Sequence, residues 1–305
     1  MFQEKPVRFA DVCSAAEAQK SAMLRVFSTY RYCTQPLTSA LLAEIAQAGI
    51  TNVEIYCTPV HLNYRSTQAI RTVSEWIGEH GLAIHSLHSP TERDLLPGKR
   101  ESGIPISISD PERVRRLDAV DEVKRTLEIA EQIPFKYLVQ HIGGGREAHD
   151  QRKIDAAFNS LEHLTIFAKQ RGVTILLENT LGELGAPSTL RHFVADTRLD
   201  LKFCFDIGHA HIEDGIKLSF ESMHDLVAAV HVHDNHGEKD EHLAPYSGNI
   251  DWDAALGVIS SPENSLPFIL ELREQSSQAP SLSDATAAFE KLEQALAAKR
   301  SAAHN

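Results

Sequence analysis

Side chains that bind metals or transfer protons recur where short apolar runs of this sequence end. The runs ILLE, KFCFD, AAVHVH and FILE each close on such a residue, and these residues lie 28, 27 and 38 positions apart, about one strand and one helix each time. Three carboxylates with one imidazole suit Mn²⁺, Mg²⁺ or Co²⁺, while further imidazoles shift the preference towards Zn²⁺. The sequence therefore predicts one divalent metal ion, held by Glu178, Asp206, His233 and Glu271.

A metal at this position would support proton transfer beside a carbonyl. A divalent ion can polarise a carbonyl and its neighbouring hydroxyl, and so acidify the C–H bond between them. Glu178 and Glu271 would then flank the substrate as base and acid. The predicted reaction is an isomerisation or epimerisation through an enediolate. Loss of hydroxide from the same intermediate would make the protein a dehydratase instead.

Further polar residues end other apolar runs or lie close to them. His88 and His141 close two earlier runs, and we interpret them as substrate-binding residues or ligands of a second metal. Arg146 follows three glycines that could form an anion-binding nest, although a plain flexible loop is the simpler interpretation. The possible substrate contacts are Glu54, Arg146, Trp252 and Arg273.

Short β-branched runs alternate with longer segments of helical period, the pattern of repeated βα units. Eight units predict a closed (β/α)8 barrel with residues 1–305 as one domain. An open doubly wound sheet is the alternative, but no Gly-x-Gly-x-x-Gly follows the first strand. Residues 1–20 would form an N-terminal arm and 89–110 a loop over the mouth. The predicted strands are Leu24–Ser28, Asn52–Cys57, Ala83–Leu87, Tyr137–His141, Thr174–Glu178, Lys202–Asp206, Ala229–His233 and Phe268–Glu271.

Helical segments separate these strands, and several of them end at a glycine, the usual C-terminal stop. Because the C-terminal ends of barrel strands meet at one mouth, the candidate residues should converge there. His231 shares a strand face with His233, since side chains alternate along a strand, and its role stays open. The predicted helices are Ser39–Ala48, Thr67–Glu79, Pro111–Gln132, Ile154–Gln170 and Ser283–Lys299.

The composition excludes several classes of protein. No run approaches the roughly 20 apolar residues that span a bilayer, and Met1–Lys20 lacks the apolar core of a signal peptide, so a cytoplasmic location is expected. The net charge of −12, without a long run of Lys and Arg, disfavours a nucleic-acid partner. Four scattered cysteines indicate neither disulfides nor a thiolate metal site.

The strings LLENT, FDIGHAH, HVHDN, DEHLAPYSGNIDW and LELRE resemble the xylose isomerase-like TIM barrels, over nearly the whole chain from about Leu24 onward. That superfamily includes sugar isomerases and epimerases, inosose dehydratases and TIM-barrel AP endonucleases. The resemblance to its ketose epimerases implies a metal held by Glu178, Asp206, His233 and Glu271, with the two glutamates as the proton-transfer pair.

The same resemblance to the epimerases implies that His209 contacts the substrate. It also marks a departure, because those enzymes carry an arginine where this chain has Lys239. Sugar recognition must therefore differ from theirs in detail.

The resemblance to the AP endonucleases implies a different metal content. Those enzymes hold three zinc ions with nine ligands, and this chain has matching residue types. The ligands beyond the central four would be His88, His141, His209, Asp240 and His242.

Taken together, the sequence predicts a metal-dependent isomerase or epimerase of a sugar, sugar phosphate or related polyol, with a homo-oligomer as one option for its assembly. A dehydratase, a zinc phosphodiesterase and a non-catalytic sugar-binding barrel are the alternatives. The expected cofactor is one Mn²⁺, Mg²⁺ or Co²⁺, with Zn²⁺ as the alternative ion.

Overall fold

The computed structural model describes residues 23–99, 103–260, 266–273 and 281–303, which form a closed barrel of eight parallel strands. The strands follow one another around the barrel in chain order, and the last pairs again with the first. The predicted (β/α)8 barrel is confirmed. Its strands are β1 (Arg25–Ser28), β2 (Asn52–Tyr56), β3 (Ala83–His88), β6 (Tyr137–Gln140), β7 (Thr174–Glu178), β8 (Lys202–Asp206), β9 (Val227–Val232) and β10 (Phe268–Leu270), while β4 (Glu92–Arg93) and β5 (Ile104–Pro105) form a separate antiparallel pair.

Helices cover the outside of the barrel, and the side chain of the residue directly before the helix caps several of them at the N-terminus. Thr38, Ser66 and Asp150 each accept a hydrogen bond from a backbone N–H of the first turn. The described helices are α1 (Ser39–Gln47), α2 (Thr67–Glu79), α3 (Arg113–Glu128), α4 (Gln151–Lys169), α5 (Pro187–Thr197), α6 (Ile207–Ile212), α7 (Ile216–Met223), α8 (Trp252–Ile259) and α9 (Leu282–Ala303).

Two helix starts differ from the sequence-based prediction by two or three residues, and the last helix begins one residue early, at Leu282. Helix α3 begins at Arg113, because the Glu112 side chain caps it by accepting hydrogen bonds from the next turn. Helix α4 begins three residues earlier than expected, at Gln151, because Asp150 rather than a later residue supplies the cap. Residues 1–20, predicted to be an arm, lie outside the described residues.

The barrel interior is filled by a compact apolar cluster separate from the large core between strands and helices. Leu176, Cys204, Ala229 and Ile269 belong to this cluster, each on a different strand. Because side chains alternate along a strand, the residue two positions after each of them also points into the barrel, nearer the mouth. These next positions hold the polar residues described below.

The segment 89–110, predicted to be a loop over the mouth, contains the pair β4–β5 and is attached to the β1–β2 side. The hydroxyl of Tyr56 lies 3.0 Å from the Thr91 hydroxyl, and the backbone N–H of Gly98 donates to Thr34 O at 3.0 Å. Among the helices of the described ranges, none has the length and apolar character needed to cross a membrane.

Candidate active site at the barrel mouth

Four potential metal ligands meet at the C-terminal ends of neighbouring strands, and we call Glu178, Asp206, His231 and Glu271 the carboxylate group. Glu178 and Asp206 end β7 and β8, His231 lies one residue before the end of β9, and Glu271 follows β10 directly. Each is at most 3% exposed, and one ligand atom from each lies within 4.8 Å of the others. Burying three carboxylates together is costly unless cations lie among them, so this donor set fits a divalent metal ion.

Glu178 has the most hydrogen-bond contacts in the carboxylate group. Its Oε2 lies 3.2 Å from His88 Nε2 and 3.0 Å from His141 Nε2, and its Oε1 lies 3.1 Å from His231 Nδ1. Burial by itself would raise the pKa of Glu178, but the charges and hydrogen bonds of His231 and His141 outweigh burial and hold this pKa well below its usual range. Glu178 is therefore ionised and held by three imidazoles.

His231 sits at the centre of the carboxylate group. Its Nδ1 faces Glu178 Oε1 at 3.1 Å, Glu271 Oε2 at 3.4 Å and Asp206 Oδ2 at 3.8 Å. Burial would lower the pKa of His231, but the neighbouring Cys204, Glu178 and Glu271 raise it well above its usual range. In the metal-free protein His231 is thus protonated, and its positive charge offsets the charge of the neighbouring carboxylates.

Asp206 connects the carboxylate group to a second cluster. Its Oδ1 accepts a hydrogen bond of 2.6 Å from the backbone N–H of His209, and its Oδ2 lies 3.1 Å from His233 Nε2. The Asn179 side chain fixes the Asp206 backbone from both sides, accepting from its N–H and donating to its carbonyl. Burial would raise the pKa of Asp206, but the charges of His209 and His233 lower it.

The second cluster, which we call the histidine group, consists of His209, His233, Asp240 and His242. His209 lies in α6, His233 directly follows β9, and the other two lie in the loop after it. His242 Nε2 lies 3.0 Å from Asp240 Oδ2, and His209 Nε2 lies 3.5 Å from the same oxygen. Three imidazoles with one carboxylate form a nitrogen-rich donor set that suits Zn²⁺.

Backbone carbonyls orient two of these imidazoles. His209 Nδ1 donates to Asn179 O and His242 Nδ1 donates to Glu271 O, each at 2.9 Å, which leaves both Nε2 atoms turned towards Asp240. This is the arrangement in which a histidine binds a metal through one ring nitrogen while the other is held by an acceptor.

The histidine group also contains atoms that a cation would satisfy. Asp240 Oδ1 and His233 Nδ1 are buried, and neither has a hydrogen-bond partner within the described ranges. Burial would raise the pKa of Asp240, but His242 and His209 hold it well below its usual range. Gly208 lets the His233 ring approach closely, because a Cβ at this position would overlap the ring. The residues present therefore fit a second metal ion.

A third set of possible ligands joins His88 and His141 to Glu178. An arc of aromatic rings runs from this set to the histidine group: His88 stacks on Tyr56 at 4.3 Å between centroids, Tyr56 lies 4.7 Å from Tyr30, and Tyr30 lies 4.9 Å from His242. This arc closes the β1–β2 side of the mouth, and the sequence analysis had not singled out either tyrosine.

The structure brings together all the predicted ligand candidates but groups two histidines differently. His231, whose role the sequence left open, lies with Glu178, Asp206 and Glu271, whereas His233 lies with the histidine group. His231 is two positions beyond the interior residue Ala229, so strand alternation places it level with the carboxylates. The register of the barrel interior is thus the signal that could have identified it.

The four possible substrate contacts have different surroundings. Glu54 is fully buried and bonded to Ser86, and Trp252 is 3% exposed with its indole N–H donating to Asp234 Oδ2 at 2.9 Å. Both side chains therefore have partners inside the protein, and a contact of either with a substrate stays a prediction. Arg146 pairs with Glu213 at 3.1 Å, and Arg273 is half-buried next to the mouth, with its backbone N–H donating to His242 O.

Comparisons with known proteins agree with this architecture. Residues 42–295 match the family described as xylose isomerase-like TIM barrel. The solved structure of a D-tagatose 3-epimerase-like protein matches with a TM-score of 0.73 at 23% identity, covering 92% of this chain and 100% of that one. An L-ribulose 3-epimerase structure matches with a TM-score of 0.74 at 17% identity, covering 93% and 97%. At such identities these likenesses show the fold.

Two sequence relatives carry different names. An uncharacterized protein of Methanocaldococcus jannaschii is 29% identical over 236 residues, which are 74% of this chain and 75% of that protein. A probable endonuclease 4 of Haloquadratum walsbyi is 26% identical over 200 residues, or 58% of this chain and 70% of that protein.

Proposed function

Because the chain belongs to the xylose isomerase-like TIM barrel family, we propose that it is a divalent-metal-dependent isomerase or epimerase of a sugar or related polyol. The carboxylate group is the observation that carries this proposal. It gathers three buried carboxylates and one imidazole at the mouth where TIM barrels place their active sites. The structural neighbours, a D-tagatose 3-epimerase-like protein and an L-ribulose 3-epimerase, also support a sugar as the substrate.

The carboxylate group would hold Mn²⁺, Mg²⁺ or Co²⁺, because oxygen-rich donor sets suit these ions. When bound, such an ion would polarise the substrate carbonyl and its neighbouring hydroxyl.

Glu178 and Glu271 are the proposed proton-transfer pair, and their surroundings differ. Glu178 is held by His88, His141 and His231, so its lone pairs are largely occupied. Glu271 makes longer side-chain contacts, 3.4 Å to His231 Nδ1 and 3.7 Å to a ring nitrogen of His242. Glu271 therefore has the carboxylate that is freer to remove a proton from the substrate. Glu178, which is ionised, would orient the substrate on the other side and would return a proton that it first receives from the neighbouring His88 imidazole, 3.2 Å away.

Deuterium exchange tests this assignment. The Mn²⁺-loaded protein is incubated in D2O with a panel of ketoses and their phosphate esters, and loss of the C–H signal next to the carbonyl is followed by proton NMR. The wild type should exchange that hydrogen on at least one substrate. Glu271→Gln should slow the exchange at least about 100-fold, since positioned general bases contribute about 10²–10⁴-fold.

Glu162→Gln, on the exposed face of α4, is the matched control and should exchange like the wild type. Equal exchange by Glu271→Gln and the wild type would rule out Glu271 as the base. No exchange with any ketose would count against the whole proposal.

Phosphodiester hydrolysis is the second candidate, and the histidine group favours it. Hydrolases of this kind use two or more metal ions a few ångströms apart to hold the attacking and leaving oxygens. Here Glu178 joins His88 and His141 to the carboxylate group, and Asp206 joins the histidine group to it. One relative is named probable endonuclease 4. The net charge of −12 weighs against a nucleic-acid substrate.

Metal content and substrate separate the two candidates. Three tightly held Zn²⁺ ions per chain, with cleavage of a duplex containing an abasic site, would favour the hydrolase. Isotope exchange on a ketose, supported by Mn²⁺ in the carboxylate group, would favour the isomerase.

A further inference from the structure

We propose that Glu54 is a positioning residue that fixes which ring nitrogen of His231 is presented to the metal. This inference rests on the proposed function, because it concerns how the carboxylate group is held ready for its ion. Glu54 is 0% exposed, and its side chain contacts Ser86 and His231. It acts through His231.

The strand register makes room for a carboxylate inside the barrel. Glu54 lies in the middle of β2, and its partners on the two neighbouring strands are Ser28 and Ser86. Both serines are small and fully buried, and Glu54 itself is 0% exposed. A glutamate in such a place needs partners, because an unpaired buried carboxylate is strongly unfavourable.

Two side chains supply those partners. The Ser86 hydroxyl donates to Glu54 Oε2 at 2.8 Å, and His231 Nε2 lies 3.3 Å from Oε1 and 3.4 Å from Oε2. The imidazole ring of His231 therefore lies between the carboxylate of Glu54 on one side and those of Glu178, Asp206 and Glu271 on the other.

The two ring nitrogens of His231 face these two sides separately. Nε2 points to Glu54, while Nδ1 points to Glu178, Glu271 and Asp206 at 3.1, 3.4 and 3.8 Å. A neutral imidazole carries one N–H and one lone pair. Because Glu54 accepts the Nε2 proton, the lone pair is left on Nδ1, on the side where the metal would bind. A carboxylate behind a metal-binding histidine fixes its tautomer and ring orientation in this way.

Replacing Glu54 distinguishes a role in positioning His231 from a purely structural role. Glu54→Met keeps roughly the same volume without charge, but it leaves His231 Nε2 and the Ser86 hydroxyl without their acceptor, and loss of one partner of a buried contact costs stability. We therefore expect a lower Tm for the metal-free variant, as for the Glu122 control, so that metal affinity is the readout that separates the two roles. Its affinity for Mn²⁺ in titration calorimetry should fall about 10–100-fold, the usual cost of losing such a partner. Glu54→Gln keeps an acceptor and should lose less.

Glu122 provides the matched control. It is also a buried carboxylate, 7% exposed and bonded to Tyr64 and Arg65, but it lies in helix α3, and these partners belong to neither the carboxylate group nor the histidine group. Glu122→Met should lower the Tm and leave Mn²⁺ affinity at the wild-type value. Histidine ¹⁵N NMR of the Zn²⁺-loaded protein adds a direct readout, because His231 should carry its proton on Nε2 in the wild type and lose that fixed tautomer in Glu54→Met.

The outcomes distinguish this inference from the proposed function. If the wild type binds Mn²⁺ and Glu54→Met binds it equally well, Glu54 does not position His231, whereas the proposed isomerase is unaffected. A lower Tm with unchanged affinity would make Glu54 a structural residue only. If the wild type binds no divalent ion, both the proposed function and the role of Glu54 are overturned.

Discussion

The carboxylate group and the histidine group lie side by side in one mouth, yet they are built in different ways. The carboxylate group comes from strand ends, in register with the apolar interior of the barrel. The histidine group comes from one short helix, the residue that follows β9 and two loop positions, and backbone carbonyls orient two of its rings. The strand ends thus supply mostly oxygen ligands, and the segments that follow them supply mostly nitrogen ligands.

This difference indicates how one barrel could serve two chemistries. Oxygen-rich sets favour Mn²⁺ or Mg²⁺, and nitrogen-rich sets favour Zn²⁺. Asp206 contacts members of both groups, so an ion bound in one group would change the affinity of the other group for its own ion. The following predictions test whether the two groups are separate sites.

Glu178 should give the largest effect, because it belongs to the carboxylate group and also to the set with His88 and His141. Glu178→Ala should weaken Mn²⁺ binding more than about 100-fold, since loss of an outer-shell partner alone costs about 10–100-fold. Titration calorimetry measures this change, and catalytic exchange should disappear with it. Mn²⁺ affinity within threefold of wild type would show that the carboxylate group is not the binding site.

His242→Ala should produce a smaller and more selective effect. The variant removes one ligand of the histidine group while the members of the carboxylate group remain. Zn²⁺ content after dialysis should fall by about one ion per chain, and Mn²⁺ affinity should change less than about tenfold, since additivity holds best where partners are not shared. Parallel loss of both ions would show that the two groups act as one site. Elemental analysis and calorimetry on the same preparation provide the comparison.

The pH dependence of metal binding should be the mildest effect. Neighbouring carboxylates hold the pKa values of His209 and His231 well above their usual range, although burial alone would lower them. Metal must displace these protons, so Mn²⁺ affinity should rise between pH 6 and 8, by up to about tenfold per pH unit for each proton released. The stability of the metal-free protein should change in the opposite direction, because the raised pKa values contribute stability below about pH 6.5 that is lost as the pH rises through them.

Calorimetry across this pH range, with thermal unfolding in EDTA, checks both signs. Metal affinity that falls with rising pH would contradict the proton-bearing state of the two histidines.

Much of this architecture could be predicted from the sequence because it depends on local periodicity. Alternating apolar runs and helical segments predicted eight βα units, and the structure confirms the closed barrel. The convergence of Glu178, Asp206 and Glu271 follows from the same rule, because every parallel strand ends at one mouth. The predicted helix starts were less accurate, since a start depends on one capping side chain, such as that of Glu112 or Asp150.

The sequence by itself determined that acidic and imidazole side chains would gather at one end of a barrel. Only the tertiary structure decided which of the two histidines in HVH joins the carboxylates, because that depends on the interior register of β9 against β8, where His231 lies opposite Asp206. It also decided that Glu54 and Trp252 are buried against protein partners. A strand pattern specifies the alternation of side chains, but the depth of each residue in the barrel is set by how neighbouring strands are staggered.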